Sequence, residues 1–134
     1  MKYIVLLGRI LFSSIFIIKG FDHFFSKTIE SVSGMGVPAA GVLVPLGGVI
    51  CILGGLSILL GYRTRFGAWL LVAFLVPTTF AMHRFWEIAD EPLNMLHNYC
   101  FMKNLSLLGA VLLVAYFGSG PLSLCSSCCK ENKK

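Results

Sequence analysis

The stretch Pro38-AAGVLVPLGGVICILGGLSILLGYRT-Arg65 decides the fold. From Ala39 to Leu60 it holds no Asp, Glu, Lys, Arg or His. About 20 apolar residues in a helix cross the roughly 30 Å hydrocarbon core of a bilayer. Pro38 suits a first helical turn, where a missing N–H costs nothing. Pro45 predicts a kink whose freed backbone group needs a neighbouring helix. Gly47, Cys51 and Gly55 recur every four residues, with Gly54 and Ile58 beside them. Small residues at this spacing let helix backbones approach closely. The pattern reads first as packing inside one bundle, and second as an interface between copies.

The stretch ends in Gly61-Tyr62-Arg63-Thr64-Arg65, and a further apolar block follows. So tight a basic link forces the two flanking spans antiparallel. Working outward, apolar blocks cover about 3–25, 38–60, 66–85 and 102–117. Pro77 predicts a second kink, in the third block. Arg9 interrupts the first block early, and no small-x-small cleavage site follows it, so it reads as a retained helix and not a signal peptide. Residues 26–37 and 87–100 read as polar loops, and Gly118-Ser-Gly-Pro121 breaks the last helix.

Composition agrees. Of 134 residues, 57% are hydrophobic and 13% charged, too few charges to clothe a small soluble domain. The expected fold is all-α: an integral membrane four-helix bundle, up-down-up-down, over residues 1–124, with a polar tail at 125–134. The net charge of +5 is topological punctuation. Lys2, Arg63, Arg65, Lys130, Lys133 and Lys134 fall at one end of such a bundle, and the positive-inside rule puts that end, with both termini, in the cytoplasm. Bases are not interleaved with aromatics along a groove, so nucleic acid is not an expected partner. The expected surroundings are the lipid bilayer of a bacterial inner (plasma) membrane.

Polar groups at membrane depth carry the functional expectation, because each is costly there and usually faces a bundle interior or cavity. Arg9 lies two turns into the first span. Lys19 and His23 share a face near its other end. His83 closes the third span, and Lys103 and Asn104 open the fourth. Lys19, His23, His83, Lys103 and Asn104 are therefore expected to converge in the outer half, with Arg9 deeper and separately partnered. Polar groups under an apolar wall suit a small ligand. A quinone headgroup fits, since its carbonyls accept hydrogen bonds and a histidine can move a proton. The alternative is snorkelling lysines and histidines that satisfy buried carbonyls.

His23, His83 and His97, near Asp22, Asp90 and Glu91, offer transition-metal donors. No two have a spacing such as HxxxH, and no metal site is assigned. Cys51 and Cys100 read as small hydrophobes. Cys125, Cys128 and Cys129 form a C-x-x-C-C tail, a weak redox candidate in a reducing compartment. No hydrolase elbow, Walker loop, dinucleotide fingerprint or CxxCH haem motif is present, so no haem or flavin is expected.

Several of these pieces stand in a familiar order: Gly8-Arg9; Lys19-Gly20; Met35-Gly-Val-Pro38; Gly54-Gly55-Leu56 before Gly61-Tyr-Arg-Thr-Arg65; His83; Phe101-Met-Lys-Asn-Leu105; Gly109; Gly118-Ser-Gly-Pro121. From about Arg9 to Leu124 the chain resembles the DoxX family of small four-helix bacterial membrane proteins. The resemblance implies association with quinol oxidase, thiosulfate:quinone or oxidative-stress systems, and members are described as oxidoreductases without agreed catalytic residues. Many members carry a glutamate where Cys51 stands and a lysine where His23 stands. Without that carboxylate, Arg9 loses a partner or the chain a proton carrier. The expected function is an accessory subunit beside a redox-enzyme partner, not catalytic alone, binding a quinone or similar small molecule. The alternative is a non-enzymatic scaffold or assembly protein, and a homo-oligomer fits either. A small carrier or channel fits least, because no inverted repeat is visible.

Overall fold

The computed structural model describes residues 1–83 and 85–124. Helices are α1 (Lys2–Asp22), α2 (Ser26–Gly34), α3 (Ala40–Leu60), α4 (Thr64–Met82) and α5 (Glu91–Phe117), with a 3-10 turn at Phe85–Glu87. Helices α1, α3, α4 and α5 are long and apolar enough to cross a membrane. The all-helical four-span architecture is as expected, and α3 and α4 run on through Pro45 and Pro77.

Three boundaries differ from expectation, each for a local reason. The 26–37 connection is not a plain loop. Its central α2 sets Val32 against Ala40 and Val44 of α3, with Ile29 alongside. The Thr28 hydroxyl donates to Asp22 O at 2.8 Å and ties its start to the end of α1. Helix α3 begins at Ala40 and not at Pro38, because Ala39 takes a left-handed conformation (φ 54°). Helix α5 begins eleven residues earlier than the expected 102, at Glu91. Pro92 suits its first turn, Glu91 complements the helix dipole there, and the Asn94 side chain donates to Ile88 O at 2.9 Å. At about 1.5 Å per residue α5 is roughly 40 Å long, so it outruns the hydrocarbon core or tilts within it.

The spans pack in series, α1 on α3, α3 on α4, α4 on α5. Their pairings are antiparallel. Gly20 meets Gly48 while Gly55 meets Ser13; Gly47 meets Phe74 while Gly54 meets Gly67. Phe80 stacks edge-on with Phe101, while Arg65 reaches Tyr116 O at the other end. The core gathers Phe16, Cys51, Ile58, Ala68, Leu71, Leu75 and Val111. The glycines of α3 are thus spent on contacts inside the chain, as the first reading of their spacing has it.

One end of the bundle, the termini end, collects the N-terminus, the α3–α4 turn and residues 118–124. Gly61 (φ 70°) ends α3 in a Schellman-type cap, with Tyr62 N donating to Ser57 O. Residues 118–124 fold back as a strap, turning at Gly118, Gly120 and Leu122, all with positive φ. Leu124 N donates to Leu60 O at 3.1 Å. The far end holds α2, the 3-10 turn and the start of α5.

Candidate functional site

Arg9 stands apart from the other polar residues, about 15 Å along α1 from Lys19. Its Nη1 donates to Ser119 O (3.0 Å) and Pro121 O (3.4 Å), and its Nη2 to Leu59 O (2.9 Å) and Leu122 O (3.2 Å). It is 8% exposed. Asp22, Glu30, Glu87, Asp90 and Glu91, the acids among the described residues, all belong to the far end. Backbone carbonyls, and no carboxylate, therefore receive this intramembrane guanidinium, one of the arrangements that lets a charge persist there.

The far-end residues do not form one cluster. Lys19 is exposed and paired with Asp22 at 3.0 Å. His23, the residue that ends α1, turns inward. On the other side of the far end, His83 meets His97 of α5, with ring centroids 5.6 Å apart. Lys103 is exposed, and Asn104 beside it is buried. Among the described residues no three His, Cys, Asp or Glu side chains come together as a metal site. Cys51 is buried in the core and Cys100 half-buried, both as free thiols. Cys125, Cys128 and Cys129 lie outside the described residues.

His97 falls in a segment expected as a loop, and the sequence groups it with His83 only as a possible metal donor. Once α5 is known to start at Glu91, the signal is plain: His97 and Asn104 are seven residues apart and share a face. His83 lies just beyond α4, where burial, then His97, then Lys103 push its pKa below the ordinary value. The folded state thus favours neutral His83, and the unfolded chain takes up the proton first as pH falls. This contribution to stability is complete above the ordinary imidazole pKa of about 6.5 and is lost progressively below it. The detergent-solubilised protein should melt lower at pH 5 than at pH 7.5, and His83→Gln should narrow that gap. An unchanged gap would contradict the assignment.

Between the far ends of α1, α3 and α4, under α2, lies a crevice of about 270 Å³. Val32, Val44, Gly47, Phe74 and Met82 are among its lining, and His23 is the one ionisable side chain there among the described residues. Gly47 carries no side chain, which lets Phe74 close against α3 at the crevice wall: a Cβ there would stand 2.8 Å from Phe74 Cε2 and 3.9 Å from His23 Cδ2. Phe74 and His23 meet edge to face, with centroids 5.6 Å apart at 70°. His23 Nδ1 lies 2.6 Å from Lys19 O. A mostly apolar concavity with one oriented polar group is the usual form of a small-molecule site. Among the expected site residues, only His23 lines it.

The sequence also matches the model of the DoxX family over residues 4–84. The chain belongs to the DoxX family. A DoxX relative, "Inner membrane protein YphA" of Escherichia coli (strain K12), is 31% identical over 125 residues, which cover 90% of this chain and 87% of that protein. No solved structure matches the chain. The DoxX match takes in Arg9, both glycine contacts of α1 with α3, and every residue lining the crevice. The matched segment of this chain therefore includes Arg9 and the apolar opening, while three of the four carbonyls that receive Arg9 lie beyond it.

Proposed function

We propose that this DoxX protein is an inner-membrane accessory of a redox system, and that it holds a small aromatic molecule of the quinone class in the crevice under α2. The crevice carries the reading: an apolar wall closed by Phe74, with His23 as the single ionisable group among the described residues. Its volume, about 270 Å³, lies just below the roughly 300–1,000 Å³ of drug-sized sites and suits one substituted ring with its tail left in lipid. The location follows the name of the Escherichia coli relative, an inner membrane protein. Electron transfer in this reading belongs to a partner enzyme. Lys2, Arg63 and Arg65 share one end of the bundle, and the positive-inside rule supports a cytoplasmic placement of that end, with the crevice in the outer half.

The test is native mass spectrometry of the protein extracted gently from its own membrane. A co-purifying quinone is the expected result, and Ala73→Leu, which fills the crevice wall, should remove it. Phospholipid alone would overturn the proposal. A second reading, a scaffold for other membrane proteins, draws on α5, of which far less is buried than of α3. Crosslinkers at Leu105 or Leu113 would then capture a protein neighbour while the crevice stayed empty of ligand.

A further inference from the structure

His23 has a defined tautomer, and the tautomer sets the chemistry of the crevice. Its Nδ1 lies 2.6 Å from Lys19 O. A carbonyl oxygen only accepts, so Nδ1 carries the hydrogen and donates it. In the neutral ring Nε2 is then left as an acceptor with a free lone pair. Nε2 is bonded to Cδ2, the His23 atom nearest to Gly47, and both residues line the crevice. No described residue donates to Nε2. The remaining lining is apolar apart from Thr78.

We infer that the crevice takes an aromatic hydroxyl, a phenol or quinol, whose O–H donates to His23 Nε2. This deepens the proposed function and rests on it, adding that the reduced, hydroxyl-bearing form is favoured over a carbonyl-only ring. A ring bearing only carbonyls or ethers offers Nε2 a second acceptor and leaves the two lone pairs facing each other. A hydroxyl at the same place forms one hydrogen bond in a low-dielectric setting, where it counts for more than in water. Phe74 and the imidazole meet edge to face and both line the crevice, so a flat ring entering it meets an aromatic wall beside His23.

The experiment uses two molecules of nearly equal shape, 1-naphthol and 1-methoxynaphthalene, titrated calorimetrically against the full chain in lipid nanodiscs, with empty nanodiscs subtracted. One hydrogen bond predicts about tenfold tighter binding of the naphthol. His23→Phe keeps an aromatic ring against Phe74 and should abolish the difference in affinity between the two molecules. In protein with ¹⁵N-labelled histidine, the naphthol alone should shift the Nε2 resonance that His23→Phe removes. Equal binding of both molecules to the unmodified protein would overturn the hydroxyl inference and leave the crevice reading standing. Binding of neither would remove both.

Discussion

Arg9→Met should destabilise the bundle by several kcal/mol, since each buried acceptor left without its donor costs about 1–3 kcal/mol. Four carbonyls lose their donor at once. Leu59 O belongs to the last turn of α3, where carbonyls lack intrahelical partners. Ser119, Pro121 and Leu122 lie in the strap, whose positive-φ turns leave them outside any helix. Methionine matches the apolar stem but supplies no hydrogen. Arg9→Lys should recover only part of the loss, since one ammonium cannot span acceptors on both α3 and the strap as a planar guanidinium does. Denaturant titration in micelles measures the loss, and limited proteolysis should find the strap newly cleavable. Undiminished stability in Arg9→Met would show that the carbonyl contacts carry no weight.

Gly48→Ala should also destabilise the bundle, through the crossing of α1 and α3. A Cβ there would stand 2.7 Å from Gly20 O and 2.8 Å from His23 Cβ. The reverse contact is as tight, since a Cβ on Gly20 would stand 2.9 Å from Gly48 O. Backbone meets backbone at this crossing, so α1 has to move away as a body. Overpacking of this kind costs about 1–3 kcal/mol and outweighs the roughly 1 kcal/mol that alanine gains over glycine in a helix. The shift also carries His23 away from Gly47, so crevice binding should fall with stability. Gly109→Ala is the control: nothing lies within 4 Å of its added methyl, and stability should hold or rise. If both variants melt alike, the α1–α3 contact is looser than drawn.

The spans were legible because a bilayer imposes length and apolarity on each, and the Gly61–Arg65 link imposes direction. Helix α2 was not, because its hold on α3 comes from Ile29 and Val32 in an otherwise polar segment. The start of α5 was hidden for a related reason: its first turns are polar and outrun the hydrocarbon, so hydropathy ends before the helix does. Depth along each span was also legible, and it grouped Lys19, His23, His83, Lys103 and Asn104 at one level. Rotation about each axis was not. Lys19 points outward to Asp22, while His23, where α1 ends, swings toward α3 and α4. His83 faces α5 instead. Arg9 was legible as a group needing a partner, but its acceptors are main-chain atoms of the strap, which no side-chain pattern announces.

The distance in sequence between Arg9 and those acceptors bears on how the protein is made. Arg9 leaves the ribosome in the first span, while Ser119, Pro121 and Leu122 follow some 110 residues later. Until the strap emerges, Leu59 is the one acceptor of the four that can have been synthesised. A chain that stalls or is cut short before the strap keeps a guanidinium with unmet donors inside the bilayer. Full hydrogen bonding of that charge therefore waits on the strap, and the first span of a nascent chain carries an unanswered demand until residues 118–124 are in place.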